Sequence, residues 1–354
     1  MKVKLATLFV SAFTGLAAAE PKVVVDIPPV HSLVSAVMGD VGAPTLVLRH
    51  GASPHGYAMA PSEARALAAA DVVIWIGPEL TPWLDRAIEN LAEDALSVAL
   101  VDAEGMQTMP FREGALFESH DHDEHHDDEK HHGDHEADHN EHGHDEHHDN
   151  AHDDHAGEEH ADHTEHGDEH DEDTHDEHGH DEHGADPHIW LDPQNAKTMT
   201  MAIVQALSKA DQANAGVYAR NGAALIADLT ALEDDIAKTL VDARERPFFV
   251  FHDAYHYFEA RFDVEAAGAI AVSDASAPGP ARLAEIREKI GAFDAPCVFT
   301  EPQFPETNAR LVMEGTDAKL AVLDPMGATV PLGPNQYSAL MRGLAGVMAN
   351  CLGN

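Results

Sequence analysis

Residues 71–77 have the sequence DVVIWIG, and this continuous apolar run indicates the fold class of the chain. Uninterrupted apolar residues are typical of a parallel strand that is buried on both faces of its sheet. An Ala-rich segment at 61–70 precedes the run and begins with proline, which a helix tolerates at its first position. A strand directly after a helix indicates a βα unit, and therefore a parallel sheet covered by helices.

The same alternation of short apolar runs and amphipathic segments continues on both sides of this strand. Further strands are predicted at 23–27, 45–48, 97–101, 248–251, 297–299 and 320–323. Helices are predicted at 31–39, 61–70, 81–93, 194–209, 253–261, 280–291, 306–315 and 336–349. The two βα series predict an α/β protein with two lobes, each built on a parallel sheet.

A long segment between the two series, residues 211–243, contains no proline. Its apolar residues recur at spacings of three and four, which marks one face of a helix: Leu225, Leu229, Leu232 and Ile236. Gly216 and Gly222 are its weak points, since glycine is unfavourable inside a helix. We expect one long helix that packs along both lobes and joins them.

Composition argues against several classes of protein. The 354-residue chain has 21 basic against 64 acidic residues, a formal net charge of −43, together with 28 histidines and two cysteines. Because phosphate neutralisation needs clustered Lys and Arg, this charge argues against nucleic acid as a partner. Two cysteines are too few for a Cys-built zinc domain or a dense disulfide framework.

Most of the histidine and acidic excess lies in one segment, residues 118–183. It contains 22 His, 29 Asp or Glu and a single basic residue, Lys130. Since it has almost no aliphatic side chains, it cannot bury enough apolar area to offset the entropy of ordering its backbone. We predict a disordered surface insertion whose imidazoles bind Zn²⁺ weakly. An inert solvated linker is the alternative.

The first 19 residues predict export. A short basic start, an apolar run and AAA at 17–19 are typical of a cleavable signal peptide. The apolar run is short compared with the ~20 residues of a membrane-spanning helix. We expect a mature protein that begins at Glu20 in a bacterial periplasm, where disulfides are permitted. In that compartment Cys297 and Cys351 are predicted to form a disulfide, and two free buried thiols are the alternative.

The predicted domain organisation follows from these segments. It comprises a signal peptide at 1–19, an N-terminal α/β lobe at 20–210 with the insertion at 118–183, a linking helix at 211–245 and a C-terminal α/β lobe at 246–354.

Six histidines lie outside the insertion, and three of them stand in turns or at strand ends. His55 lies in a loop after the second strand, His188 lies just past the insertion, and His252 follows the strand at 248–251. Since ligands of open α/β sheets bind beyond the carboxyl ends of the strands, these imidazoles could share the cleft between the lobes. Three imidazoles with a carboxylate or water suit tetrahedral Zn²⁺. Asp324, at the end of another strand, is the candidate carboxylate.

The neighbouring polar residues receive other interpretations. Asp253 is a candidate outer carboxylate beside His252. His256 is expected to lie at the surface or rim, although it could share a helix face with His252. His31 and His50 are interpreted as structural, because a single histidine is more often a hydrogen-bonded structural residue than a ligand.

Four short motifs occur in order along the mature chain. They are GASPHGY at 51–57, DPHIWLDP at 186–193, FHDAYHYF at 251–258 and LDP at 323–325. They resemble the ligand loops of the metal-binding solute-binding proteins of ABC importers, the cluster A-I family. The acidic His-rich insertion before the second motif resembles the zinc-specific periplasmic members (ZnuA type). The resemblance covers essentially the whole mature chain.

The resemblance implies one metal held in the cleft between two α/β lobes that a long rigid helix joins. It implies His55, His188 and His252 as ligands, with Asp324 or water in the fourth position. The histidine at position 252 favours zinc, since manganese members usually have a carboxylate there. Pro54 stands where some zinc members have a further glutamate ligand. The two cysteine positions also match a disulfide seen in this subgroup.

The sequence therefore predicts a periplasmic protein that captures Zn²⁺ and delivers it to the membrane permease of an ABC importer. We expect a monomer that binds no nucleic acid and is not an enzyme. An extracellular zinc-dependent hydrolase and a zinc buffer without a transporter partner are the alternatives. The sequence HEADH at 135–139 matches a zinc-protease motif, but its flanks offer no apolar helix face. Such a match is expected by chance in a His-rich segment.

Overall fold

The structure is a computed structural model that describes residues 20–49, 51–112, 117, 184–271 and 278–353. The predicted signal peptide and the predicted insertion lie outside the described residues, as does His50.

Two parallel four-stranded sheets form the framework, and both belong to one compact unit. The strands are β1 (Val23–Val25), β2 (Thr45–Leu46), β3 (Val72–Trp75), β4 (Leu96–Ala99), β5 (Phe248–His252), β6 (Ala266–Ala271), β7 (Cys297–Thr300) and β8 (Lys319–Val322). Their orders are β2-β1-β3-β4 and β6-β5-β7-β8, so the second sheet repeats the topology of the first. The predicted fold class, α/β with two parallel-sheet lobes, is confirmed.

The helices alternate with these strands. They are α1 (Pro28–Met38), α2 (Pro61–Ala68), α3 (Pro82–Leu91), α4 (Pro193–Ala210), α5 (Ala215–Thr239), α6 (His256–Phe262), α7 (Pro280–Ala292), α8 (Thr307–Val312) and α9 (Gln336–Leu352). Five of them begin with proline, whose fixed φ and missing N–H suit the first helical position. Among the described residues, no helix is both long and apolar enough to cross a bilayer.

Strand β3, the centre of the DVVIWIG run, is buried on both faces as predicted. Val72 and Ile74 point into one apolar cluster, whereas Val73 and Trp75 point into another that includes residues of α2 and α3. Successive side chains of a strand alternate between the faces of its sheet, so a strand covered on both sides must be apolar throughout.

Strand β6 is the one element of the second sheet that the sequence analysis did not predict. Its sequence, AAGAIA, consists largely of alanine and glycine. These residues have low strand propensity because they offer little side chain to pack on a pleated surface. The strand forms because it pairs with the strongly apolar β5, from Phe248 to His252.

One apolar core runs through both lobes. It contains residues of β1 and β3 from the first sheet, residues of β5 and β7 from the second, and the apolar face of α5. Helix α5 packs against α1, α4 and α9. Gly222 permits the close approach of α4, because a Cβ added there would lie 2.4 Å from the Val204 side chain. The glycine that weakens α5 as an isolated helix therefore improves its packing.

The predicted disulfide between Cys297 and Cys351 is present, so the alternative of two free thiols is wrong. It joins β7 to α9 with a Cα–Cα separation of 6.2 Å. Closing a loop of 54 residues in the unfolded chain contributes about 4 kcal/mol in the chain-entropy model. The bridge therefore fixes the C-terminal helix to the second sheet.

Asp26 is a fully buried carboxyl that joins two strand ends of the first sheet. Its Oδ1 accepts the Ile27 N–H at 2.8 Å, and its Oδ2 accepts the Ile76 N–H at 2.8 Å. Burial raises the pKa of Asp26 to about 7, although the two backbone hydrogen bonds act in the opposite direction. The native protein therefore retains a proton on this group that the unfolded chain releases near pH 3.8.

This proton predicts a pH dependence of stability that Asp26→Asn removes. Between about pH 4 and pH 7 the native state binds more protons than the unfolded state, so the free energy of unfolding falls as pH rises, by about 4 kcal/mol in total. Denaturant unfolding across this range measures the effect. Asp71→Asn is the matched control, since this exposed carboxylate also accepts a backbone N–H. Equal slopes in Asp26→Asn and the control would contradict the assignment.

Candidate metal centre

Three imidazoles from separate parts of the chain meet at one place. His55 comes from the loop between β2 and α2, His188 from the turn before α4, and His252 from the last residue of β5. One ring nitrogen of each lies within 4.8 Å of the other two. The ring centroids of His55 are 5.4 Å from His188 and 6.3 Å from His252, and the latter two are 5.3 Å apart. The structure thus brings together the three histidines selected from the sequence.

A carboxylate holds the ring of His252. Its Nδ1 lies 2.5 Å from Oε1 of Glu301, the residue that follows β7. The other carboxylate oxygen of Glu301 accepts a hydrogen bond of 2.6 Å from the Gln303 side chain. Because β5 and β7 are adjacent parallel strands, their carboxyl ends place these two residues side by side.

Asp186 plays the same part for His188. Its Oδ1 accepts the His188 backbone N–H at 3.0 Å and lies 2.7 Å from His188 Nδ1. Both residues are almost fully buried. Burial raises the pKa of Asp186 to about 6, partly offset by the backbone hydrogen bond from His188. His256 lies behind this pair, with its Nδ1 3.9 Å from Asp186 Oδ2.

These two carboxylates determine which nitrogens face the centre. An ionised carboxylate only accepts hydrogen bonds, so Nδ1 of His188 and of His252 carries the proton, and each Nε2 presents its lone pair. The two Nε2 atoms lie 3.4 Å apart. Two nitrogens bound at ~2.0–2.1 Å to one tetrahedral Zn²⁺ lie about 3.3–3.4 Å apart. The pair therefore has the spacing that a tetrahedral cation requires.

The loop that carries His55 is held through its backbone. The Trp83 indole donates a 2.7 Å hydrogen bond to the Pro54 carbonyl, and the Ser53 hydroxyl accepts the His55 N–H at 3.3 Å. Tyr57 packs edge-on against Trp83, with ring centroids 5.3 Å apart. Unlike His188 and His252, which are buried, His55 is only partly covered. It therefore lies on the more accessible side of the centre.

Asp324 lies at the same edge of the second sheet but outside the three-histidine group. Within the described residues, the group with ligand atoms inside 4.8 Å of one another contains only the three histidines. Oδ2 of Asp324 accepts hydrogen bonds from the Thr329 N–H at 3.0 Å and from its hydroxyl at 3.2 Å. The choice between Asp324 and water as the fourth ligand stays a prediction.

One expectation about the surroundings of the histidines is wrong. Asp253 does not support His252 but forms an ion pair with Arg112. The side chain of His256 is 16% exposed and lies beside Asp186, and its surface or rim role stays a prediction. The sequence analysis missed the two carboxylates that do hold the ligand histidines, Asp186 and Glu301. Glu301 directly follows an apolar strand, the same signal that selected Asp324.

The fold and the site together define a two-lobed α/β protein in which three imidazoles lie close enough to hold one metal ion. The sequence matches the family model described as "Zinc-uptake complex component A periplasmic" over residues 23–351. This match spans nearly the whole chain, so the protein belongs to the periplasmic zinc-uptake component A (ZnuA) family.

Relatives of this family are similar along their full length. The high-affinity zinc uptake system protein ZnuA of Brucella abortus (strain 2308) is 43% identical over 350 residues, which cover 98% of this chain and 97% of the relative. The protein of the same name from Paracoccus denitrificans (strain Pd 1222) is 42% identical over 334 residues, covering 94% and 92%.

Solved structures share the fold at lower identity. A crystal structure of ZnuA superposes with a TM-score of 0.66 at 20% identity, covering 94% of this chain and 98% of the other. A zinc-bound deletion mutant of ZnuA gives a TM-score of 0.63 at 19% identity, with the same coverage of both chains. These likenesses support the two-lobe architecture.

Glu301→Gln is expected to weaken Zn²⁺ binding by about 10- to 100-fold, the usual effect of losing a carboxylate behind a metal-binding histidine. A neutral amide no longer fixes the proton on Nδ1 of His252. Competition titration against a zinc chelator measures the change. Glu306→Gln is the control, because Glu306 pairs with Arg310 on the surface nearby. Equal affinities of the two variants would contradict the role given to Glu301.

Proposed function

We propose that this protein captures Zn²⁺ in the periplasm and delivers it to the membrane permease of an ABC importer. One observation carries the proposal: in three imidazoles from separate chain segments, one ring nitrogen of each lies within 4.8 Å of the other two. Membership of a family described as a periplasmic zinc-uptake component supports the location and the transport role. The proposed ligands are His55, His188 and His252, with Asp324 or water as the fourth.

The donor set supports zinc as the cargo. Imidazole nitrogen is a common ligand of Zn²⁺, whereas Ca²⁺ and Mg²⁺ prefer oxygen. The carboxylates of Asp186 and Glu301 make their histidines more basic and hold them in the metal-binding tautomer. Copper(II) has the higher intrinsic affinity for such donors, so selectivity depends on the tetrahedral spacing and on metal supply.

Binding and release of the metal are coupled to protonation. Only neutral imidazole binds Zn²⁺, so affinity falls as pH drops through the ordinary histidine pKa of about 6.5. Partial cover of His55, against the burial of His188 and His252, makes it the ligand most open to an incoming or departing ion. In this proposal the protein performs no covalent chemistry, and it acts as a monomer without a nucleic-acid partner, consistent with its net charge of −43.

The transport role is favoured over the two alternatives. A zinc-dependent hydrolase needs a general base beside an open metal position. Two carboxylates beside the centre, Asp186 and Glu301, are instead hydrogen-bonded to the imidazoles. A buffer without a transporter partner does not account for the family. Growth of a gene-deletion strain under zinc starvation separates transport from buffering, since only loss of transport prevents growth.

Alanine substitution of His55, His188 or His252 is expected to lower the Zn²⁺ affinity of the tight site by at least about 100-fold. This exceeds the effect of losing a carboxylate that supports a ligand histidine. Chelator competition with the purified mature protein measures each affinity. His31→Ala is the control, since His31 lies on α1 outside the group, with its Nδ1 3.4 Å from the Ser35 hydroxyl. Near-native affinity in the site variants would refute the proposed ligand set.

The His-rich segment at 118–183 is proposed to gather further Zn²⁺ weakly and pass it to the tight site. Its 22 histidines and the zinc preference of imidazole support this role. Deletion of residues 118–183 is expected to leave one tight site and remove the weak ones. Calorimetry with Zn²⁺ measures the stoichiometry, and an unchanged number of bound ions in the deletion variant would rule the role out.

A further inference from the structure

The two chain segments on either side of the insertion meet next to the metal centre. The Asp186 N–H donates to the Met109 carbonyl at 2.8 Å, and Pro110 and Ala185 form an antiparallel bridge. The first segment leads into the insertion and the second leads out of it to His188. We call this pair of segments, residues 107–112 and 184–188, the stem.

A single hydroxyl fixes the stem to the second lobe. Tyr257, on α6, donates a 2.7 Å hydrogen bond to the Asp186 carbonyl and accepts one of 2.8 Å from the Met109 N–H. Tyr257 is only 2% exposed, so water does not reach its hydroxyl to replace either hydrogen bond. Tyr257 therefore holds the backbone of the residue whose carboxylate orients His188.

A second, independent contact ties the stem to the same helix. Arg112 forms ion pairs with Asp253 and with Glu259 of α6, the latter at 2.7 Å. All three side chains are at most 14% exposed, and the guanidinium lies 3.7 Å from the ring centroid of Phe117. Two buried attachments to one short helix limit how far the stem can shift or rotate.

Helix α6 begins four residues after His252, so the same element supports both buried ligands. His252 reaches the centre directly from β5, and His188 reaches it through Asp186, whose backbone rests on Tyr257. The separation of the two Nε2 atoms, 3.4 Å, therefore depends on the Tyr257–Asp186 hydrogen bond. A small shift of Asp186 alters this separation, on which tetrahedral binding depends.

We propose that Tyr257 is a positioning residue that sets the spacing of His188 and His252 for zinc, acting through Asp186. The inference rests on the proposed function. Beyond the proposed ligands, it assigns a role to a residue that supplies no ligand atom and that links the stem to the metal centre.

Tyr257→Phe removes both hydrogen bonds and keeps the ring. Zn²⁺ affinity is expected to fall by about three- to tenfold, less than for loss of a carboxylate that bonds directly to a ligand histidine. Tyr218→Phe is the matched control, because this fully buried tyrosine donates to Asp211 at 2.8 Å, remote from the three-histidine group. Both variants lose buried bonds and some thermal stability, but only Tyr257→Phe is expected to lose affinity.

A double-mutant cycle with Asp186→Ala distinguishes positioning from a general loss of stability. If Tyr257 acts through Asp186, its substitution costs little further affinity once the carboxylate is gone, so the two effects are not additive. The wild-type protein offers a second measurement that needs no variant. By reciprocity of coupling, Zn²⁺ is expected to slow hydrogen exchange of the Met109 amide, which donates to Tyr257.

The outcomes separate the two proposals. If the wild-type protein binds no Zn²⁺ tightly, the proposed function fails and this inference fails with it. If the wild type binds Zn²⁺ and Tyr257→Phe matches Tyr218→Phe, only the positioning role is overturned. Additive effects in the cycle, or exchange of the Met109 amide that zinc leaves unchanged, overturn it as well.

Discussion

Two imidazole–carboxylate hydrogen bonds, between His188 and Asp186 and between His252 and Glu301, are the interactions on which the proposed metal centre depends. Each bond fixes a proton on Nδ1 and so directs the lone pair of Nε2 into the centre. Without them a buried imidazole can turn its protonated nitrogen towards the metal and cannot bind it. The parallel sheets serve this requirement, since adjacent strand ends bring Glu301 beside His252.

The common apolar core makes this arrangement rigid. The two sheets have separate strand ladders, but α5 and the inner faces of both sheets belong to a single buried cluster. Pulling the sheets apart would expose this surface at a cost of about 25 cal/mol per Å² of apolar area. The disulfide to α9 adds a covalent tie between the second sheet and a helix that also packs on α1 and α5. The loop of His55 carries the most exposed of the three imidazoles.

Much of the fold could be predicted because its signals are local. The run at 71–77 indicated a strand covered on both faces, and Pro61 marked the first residue of α2. Strand β6 was missed because its AAGAIA sequence carries no such signal, and its pairing with β5 is a tertiary effect. Gly222 was a weakness in the sequence and proved to be a packing contact, because its neighbour Val204 lies on another helix.

The sequence by itself determined which residue types are available: three histidines in separate parts of the chain, a pair of cysteines and an acidic His-rich segment with little apolar surface. Patterns of apolar residues and prolines are local, so they survive in the sequence. Only the tertiary structure decided which carboxylates support the histidines. Asp253 is adjacent to His252 in sequence yet pairs with Arg112, whereas Glu301, 49 residues away, bonds to the His252 ring. Side-chain direction and strand neighbours, rather than distance along the chain, determine such contacts, and both are set only when the chain has folded.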